Sequence, residues 1–329
     1  MLPLIFLAII AGIVISIPFF LAVWVFGKIV KKNMPAPIAA GNSAIPGLAM
    51  GSNMFPVVDE QIESVNASTS HYLRHHPWYV TIPLIVAVAL DILFAAMKVT
   101  SINTYVLPFF LPFIGYSFAH GRVQHQFMQQ FAIANGFSYN PVGTLNGLDG
   151  SLFRIGHSQS VADVVGGQFQ GHPISLFTYT YVTGYGKSQQ IHAYTVYELQ
   201  FDITLSDILL ESASHAFGES LSSKLSDKEF IKLEGDFNKY FSLSIPKGYE
   251  VEALEIFTPD VMAELIDKAK GFSSEIINGH LFIYDNGIVG TKQGLYDLYS
   301  LAQYFIEKLG PVLARMKPSA AATGEYVRS

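Results

Sequence analysis

The sequence predicts an α+β fold in which N-terminal transmembrane helices precede a soluble domain with an antiparallel sheet and packed helices. The first 120 residues hold three apolar stretches long enough to enter a bilayer, and the rest of the 329-residue chain holds none. Farther along, short runs rich in Val, Ile, Phe, Tyr and Thr alternate with glycine-containing turns, which is typical of strands. Amphipathic segments with helical spacing follow, as expected for helices that cover a sheet.

The first apolar stretch, residues 2–26, contains no charged residue and ends before Lys28, Lys31 and Lys32. A helix needs about 20 residues to cross a hydrocarbon core of roughly 30 Å, so this stretch is long enough to span. A cleaved signal peptide has its basic residues before the apolar run, whereas here they follow it. Residues 1–32 are therefore predicted to form a retained transmembrane helix.

Two further spans are predicted to form a hairpin within residues 78–119. One runs from Trp78 to about residue 97, and the other covers residues 103–119 and contains Pro108 and Pro112. The preceding segment, residues 33–77, is rich in Pro, Gly, Ala, Ser and Asn and is predicted to be a loop. A soluble α+β domain over residues 120–317 and a disordered tail over residues 318–329 complete the predicted organisation.

The distribution of Lys and Arg predicts the orientation in the membrane. With three spans, one side receives Lys28, Lys31, Lys32, Arg74 and Arg122, and the other receives only Lys98. The positive-inside rule then places the soluble domain in the cytoplasm. If residues 103–119 form a re-entrant or interfacial segment instead, the domain moves to the opposite side.

Polar residues near the predicted spans suggest two special sites. Asp91 is the one acid inside a span, which makes it a candidate for a proton relay or an ion site. It could instead reach the interface or pair with Lys98, seven residues on and on the same helix face. The His-rich segment at residues 71–76 reads as a polar juxtamembrane collar, with a metal cluster as the alternative. Trp78 and Tyr79 are then interfacial anchors.

Within the soluble domain, turn and cap signals divide the chain into strands and helices. The sequence Asn278-Gly279 predicts a tight hairpin turn within residues 275–284. Thr258, Pro259 and Asp260 predict a helix start, because Thr can cap, Pro fits the first helical position and Asp complements the helix dipole. The remaining predicted strands are residues 151–155, 164–169, 174–181, 193–201, 240–245 and 252–257, and the remaining helices are 123–134, a short one opening at 226–229, and 294–316.

Charge and cysteine content exclude several function classes. Residues 120–329 carry fifteen Lys and Arg against twenty-two Asp and Glu, and an acidic domain without a basic stripe is a poor partner for nucleic acid. The chain has no cysteine, which excludes disulfides, thiolate catalysis and Cys-ligated zinc. No cofactor is predicted.

Three segments of the domain resemble a bacterial family. They are residues 233–244, residues 252–262, which include Thr258 and Pro259, and residues 276–284. Together they are similar to the family catalogued as domain of unknown function 3137, whose members often carry N-terminal membrane spans. The resemblance covers roughly residues 120–317. It implies a bacterial membrane location and the α+β domain. The family has no established activity that the resemblance could imply for this chain.

Four residues of the domain are candidates for a catalytic or metal site. If His157, Asp163, His172 and His192 converge, they form a candidate catalytic or His/carboxylate metal site, although their spacing matches no ligand motif. His172, before Pro173, also fits a turn. The other titratable residues of these types near the strands are His215, His280 and Glu198.

The sequence thus predicts a multi-pass protein of the bacterial plasma membrane whose cytoplasmic domain binds or scaffolds a protein or a small ligand. The expected partners are the lipid bilayer and either another protein or further copies of this chain. The alternative is a membrane-tethered hydrolase or metal-dependent enzyme. A pocket holding two or more of the candidate His, Asp and Glu side chains would favour that alternative.

Overall fold

The computed structural model describes residues 64–98, 110–201, 207–214 and 228–313. The first apolar stretch, the lysines after it, His215 and the predicted tail lie outside these residues. The chain divides into two compact units, and each is described here by itself. The first comprises the described part of Asn66–Gln126, and the second comprises Ser64, Val65 and the described residues from Phe127 onward.

The first unit is a helical hairpin. Helices α1 (Val65–His75) and α2 (Trp78–Ala96) form one arm, and the first half of α3 (Leu111–Asn135) forms the other. Leu111 packs in a cluster with Leu90 and Phe94, whereas His120 and Arg122 lie against α1, so the two arms are antiparallel.

Two boundaries differ from the sequence prediction. Residues 65–75, expected to belong to the loop, form helix α1. Residues 111–119 continue through Gly121 into the helix predicted for residues 123–134, so α3 is one helix rather than two. Pro112 causes no break because it is the second residue of α3, where its missing N–H has no intrahelical partner to lose.

Among the described helices, α2 alone has the length and hydropathy of a membrane span. The two arms of the hairpin cross closely at Gly115, where a side chain would collide with the carbonyl oxygen of Tyr79. Large apolar side chains face outward nearby: Ile85 and Ile92 on α2 are 67% and 65% exposed, and Phe113 on α3 is 60% exposed. Tyr79, expected at a membrane interface, is fully buried between the helices instead.

The second unit contains a nine-stranded antiparallel sheet, which confirms the predicted α+β class. The strands run in the order β1-β2-β3-β4-β9-β8-β5-β7-β6. Their bounds are β1 Ser138–Val142, β2 His157–Phe169, β3 His172–Thr183, β4 Gln190–Gln200, β5 Ile208–Ser212, β6 Lys228–Ile231, β7 Phe241–Pro246, β8 Phe272–Ile277 and β9 His280–Asn286.

The helices of this unit are short. They are α4 Phe237–Tyr240, α5 Glu250–Ile256, α6 Pro259–Lys268, α7 Lys292–Tyr304 and α8 Gly310–Leu313, with a π-helical turn at Phe305–Leu309 between the last two. Helix α7 begins two residues before the predicted helix start at 294, because the Thr291 hydroxyl accepts a hydrogen bond from the Gly294 N–H and caps it.

The sheet has two differently covered faces. On the helix face, Tyr299 of α7 packs edge-on against Phe131 of α3, Phe169 of β2 and Tyr197 of β4, with ring centroids 4.9 to 5.8 Å apart. On the loop face, residues 143–156 cover the strands. There Leu152 and Phe153 pack against Phe177, Tyr179, Phe282 and Tyr284.

Several local predictions are confirmed. The strands expected at 164–169 and 174–181 lie within β2 and β3, and those expected at 193–201 and 240–245 match β4 and β7 except for one residue at an end of each. The hairpin of β8 and β9 turns at Asn278 and Gly279, which both have positive φ. Helix α6 begins at Pro259 as predicted, although the Thr258 side chain makes no capping hydrogen bond.

Three local predictions are wrong. Residues 151–154 form a 3₁₀ helix rather than a strand, because the Ser151 N–H binds a distant carboxylate. Helix α5 replaces a predicted strand, since Ala253, Ile256 and Phe257 are buried at helical spacing. Residues 226–229 were expected to open a short helix, but the two of them that the structure describes, Lys228 and Glu229, belong to β6, which pairs with β7.

Candidate functional site

The 143–156 segment is held on the loop face by a buried carboxylate. Glu275 of β8 is fully buried and accepts hydrogen bonds from the Ser151 N–H at 2.7 Å and from the Tyr284 hydroxyl at 2.9 Å. The Ser151 hydroxyl donates to its other oxygen. These donors satisfy the charge of a carboxylate that would otherwise be costly to bury.

This network keeps Tyr284 protonated. Burial, together with the nearby charge of Glu275, holds the pKa of the Tyr284 phenol well above its usual range. The phenol therefore remains a hydrogen-bond donor at all physiological pH values. Because Glu275 is enclosed by its donors and by the aromatic cluster, its role is to fasten the covering segment.

Between this segment and the sheet lies a cavity of about 300 Å³. That volume is at the lower end of the range for small-molecule sites in proteins. The floor comes from strands β1 to β4 and one wall comes from residues 143–148. Its apolar lining residues are Val142, Leu148, Val161, Val164 and Phe177, and its polar ones are Asn140, Thr144, Asn146, Ser175 and Glu198.

Glu198 is the charged group of the cavity. The sheet register places Ser175, Glu198 and Phe282 side by side on β3, β4 and β9. Only 6% of Glu198 is exposed, so its carboxylate sits in the cavity wall rather than in solvent. Alternation along the strand explains the placement, because Tyr194, Val196 and Glu198 point to the same face.

His280 fixes the Glu198 carboxylate. The His280 Nδ1 lies 2.7 Å from the Glu198 Oε1, and the imidazole ring stacks on Phe282. The hydrogen bond to Glu198 raises the pKa of His280 above its usual value, against the opposing effect of partial burial. The charged imidazole is thereby favoured. Its positive charge offsets most of the negative charge of Glu198, and the Glu198 carboxylate is held in place as a hydrogen-bond acceptor at the cavity.

The cavity therefore combines an apolar body with a few convergent polar groups. A carboxylate accepts hydrogen bonds only, so a complementary ligand presents a hydroxyl or an amine to Glu198. The amide and hydroxyl side chains of Asn140, Thr144, Asn146 and Ser175 can orient the rest of it. Val161 and Phe177 provide the apolar surface.

The four residues expected to converge do not form one site: His157 and His192 both lie near the β3–β4 turn, and His172 and Asp163 lie elsewhere. The His157 Nε2 binds the Gly184 carbonyl at 2.8 Å, and the His192 Nε2 binds the Thr183 hydroxyl, so both rings are occupied at the β3–β4 turn. The His172 Nδ1 donates to the Gln200 carbonyl at the other end of these strands. His172 is the first residue of β3 and directly follows the turn between β2 and β3.

Asp163 is a structural residue of β2. It has a positive φ within an irregular stretch of pairing, and it accepts a hydrogen bond from the Tyr139 hydroxyl at 2.7 Å. Across the described ranges, no group of three His, Asp or Glu side chains could hold a metal ion. The expectation of a His/carboxylate metal site finds no geometric support there.

Asp91 lies on α2, where its Oδ1 is buried and has no hydrogen-bond partner. Within the described residues it forms no ion pair with Lys98, the expected partner. The proton-relay and ion-site hypotheses for Asp91 remain predictions.

The sequence indicated only part of this site. Glu198 and His280 were both noted as titratable groups, but they are 82 residues apart, and nothing local predicts that their strands pair. The contribution of residues 140–148 was missed. Its only signal was the polar, turn-forming composition of the segment after β1.

The comparisons with known proteins give few matches. No family model matches the chain, and no curated protein matches it. One solved structure that is similar is the crystal structure of the mycobacterial trehalose monomycolate transport factor A. The identity is 13% and the TM-score is 0.43, over 60% of this chain and 98% of that one.

Proposed function

We propose that this chain is a multi-pass protein of the bacterial plasma membrane whose cytoplasmic α+β domain binds a small ligand in the Glu198 cavity. The observation that carries the proposal is a buried carboxylate, held by His280, in the wall of a cavity of about 300 Å³. Stability alone does not favour a carboxylate at this place. An apolar side chain in the same wall would avoid its desolvation cost.

The membrane location is supported by the surface of the hairpin. Outward-facing Ile85, Ile92 and Phe113 are costly in water and favourable in lipid. The small residue at the helix crossing, Gly115, suits association of helices in a bilayer.

The cytoplasmic assignment rests on the basic residues. Arg74 and Arg122 lie at the open end of the hairpin and Lys98 lies at the tip of α2. A hairpin that spans with its open end inside follows the positive-inside rule. Including the first apolar stretch gives three spans.

The ligand can be identified by copurification. The full chain is purified in mild detergent, and bound small molecules are extracted and analysed by mass spectrometry. A molecule that accompanies the wild-type chain is then titrated against Glu198→Gln. That variant keeps the shape of the side chain but removes its charge, and we expect binding to weaken about tenfold or more.

A steric pair of variants provides the control. Ser175→Phe fills the cavity beside Glu198 and should abolish binding. Gln190→Phe places the same bulk on the same face of β4, about 26 Å farther along the strand, and should leave binding unchanged. Equal occupancy in all four proteins would refute the cavity as the binding site.

A membrane-tethered hydrolase is the second candidate. The Glu198–His280 pair favours it, because a carboxylate that orients an imidazole is a frequent component of acid–base catalysis. This candidate predicts turnover of ester or amide substrates by the purified chain, lost in His280→Gln. A binding protein loses affinity in that variant and shows no turnover in either form.

A further inference from the structure

The open end of the helical hairpin carries a ring of basic side chains. We propose that this ring, the basic collar, binds the phosphate headgroups of anionic membrane lipids. It consists of His71, Arg74, His75, His76, His120 and Arg122. The proposal rests on the proposed function in one respect, namely that the hairpin lies in the bilayer.

Contacts between α1 and α3 join the collar into one surface. The Thr69 hydroxyl meets the His120 Nδ1 at 3.2 Å, and the Arg122 guanidinium lies 5.8 Å from the centre of the Tyr72 ring. Tyr72 in turn stacks on His76 at 4.2 Å. The basic side chains of two helices are therefore presented together.

The collar lacks acidic neighbours on its own helices. Residues 64–126 include a single acid, Asp91, which lies in the second half of α2. Within the described residues, no carboxylate forms an ion pair with a collar side chain. The Nε of Arg122 has no hydrogen-bond partner there either, but it is buried. The exposed side chains of the collar, such as Arg74, are therefore the ones that suit an anion from outside the chain.

The histidines are oriented for the same task. His75 and His76 each donate from Nδ1 to a backbone carbonyl, that of His71 and that of Tyr72 respectively. The carbonyl acceptor fixes the tautomer, so Nε2 is the ring nitrogen left for a partner outside the helix.

The neighbouring surface identifies the anion as a lipid headgroup. Ile82, 46% exposed, is four residues beyond Trp78, the first residue of α2, which is about 6 Å along the helix. Tyr116 and Phe113 are exposed at the corresponding level of α3. In a lipid, the headgroup phosphate lies directly above the acyl chains, which matches a basic surface next to an apolar one. A soluble anion would contact the basic side chains but not the apolar surface.

Trp78 provides a direct probe of this surface. The chain has two tryptophans, and Trp24→Phe leaves Trp78, two residues after His76, as the only one. This protein is reconstituted in phosphatidylcholine vesicles that contain either phosphatidylglycerol or phosphatidylcholine with a nitroxide at carbon 5 of the acyl chain. The ratio of Trp78 quenching by the two labelled lipids gives their relative affinity for the collar.

We expect the anionic lipid to be preferred at least fivefold at low salt, since each basic residue near an anionic surface contributes about that factor. Arg74→Gln and Arg122→Gln should each lower the preference, and the double variant should bring it close to one. Lys98→Gln removes the same charge at the other end of α2 and should leave the preference unchanged.

The outcomes separate the two proposals. Equal quenching by both lipids in the wild-type background would overturn the collar proposal alone. An equal loss of preference in Lys98→Gln would show that net charge, rather than the collar, selects the lipid, which also overturns it. Absence of quenching by either lipid would overturn the membrane location itself.

Discussion

At the scale of single residues, two buried carboxylates have different roles although both lie on the loop face. Glu275 is enclosed by three donors from Ser151 and Tyr284 and fastens the covering segment. Among the described residues, Glu198 has one hydrogen-bond partner, His280, and its remaining acceptor capacity borders a cavity. Satisfied hydrogen bonding indicates a structural carboxylate, and accessible acceptor capacity in a cavity indicates a binding one.

The His280–Glu198 pair predicts a pH dependence of stability. The pKa of His280 is raised in the folded protein, so its contribution is complete below about pH 6.5 and is lost as the pH rises through the folded pKa. We expect the free energy of unfolding of the wild-type domain to fall by about 1 kcal/mol over that interval, relative to His280→Gln. This change in free energy is at the low end for a hydrogen bond to a charged group, because the His280 imidazole is partly exposed to solvent.

Urea unfolding of the full chain in detergent, followed by circular dichroism from pH 5 to 9, measures this difference. His75→Gln is the matched control, because His75 is exposed and bonds only its own helix. Its curve should run parallel to that of the wild type. A wild-type curve parallel to that of His280→Gln would contradict the assignment.

At the scale of elements, the β8–β9 hairpin shows how local chemistry determines a turn. Asn278 and Gly279 have φ of 51° and 79°, the two positive values that a type I′ turn requires. That turn matches the twist of the strands and sets their register, with Ile277 opposite His280. The same register brings His280 beside β4 and Glu198.

Gly279→Ala should therefore destabilise the domain by about 1 kcal/mol, because a Cβ is unfavourable in the left-handed region. Gly271→Ala, just before β8, is the control. Its φ is not positive, and no heavy atom of the described residues lies within 4 Å of the Cβ position. It should change the free energy of unfolding by less than about 0.5 kcal/mol. Comparable losses in both variants, measured by urea unfolding, would argue against the turn assignment.

At the scale of the whole molecule, the number of spans decides the location of the domain. Under the proposed membrane location, three spans would put the domain in the cytoplasm and two would put it outside. Within the described residues, α2 and α3 form an antiparallel hairpin, so the start of α2 and the end of α3 lie on the same side. The first apolar stretch, which sets the side on which the N-terminus begins, lies outside the described residues.

A reporter fused after Ser329 tests this arrangement. We expect a reporter that is active only in the cytoplasm to be active, and one that is active only in the periplasm to be inactive. A fusion after Lys98, at the tip of α2, should give the reverse pattern and serves as the internal control. Periplasmic activity at both positions would refute the three-span topology.

The sequence by itself determined the features that depend on neighbouring residues. Apolar length predicted α2, runs of strand-forming residues between turns predicted the second half of β2 together with β3 and β4, and Asn278-Gly279 predicted the hairpin turn. The prediction from sequence failed where one segment fits both a strand pattern and a helix pattern. The segment that forms α5 was predicted to be a strand, and the burial of Ala253 and Ile256 shows that it has a helical face.

Only the tertiary structure decided the candidate site. Ser151 meets Glu275 across 124 residues, and His280 meets Glu198 across 82. These meetings depend on which strands pair and in which register, and both are set by burial of the aromatic cluster over the whole sheet. A local pattern does not encode that long-range pairing, so the sequence indicated Glu198 and His280 as titratable residues but neither their contact nor the rest of the cavity lining.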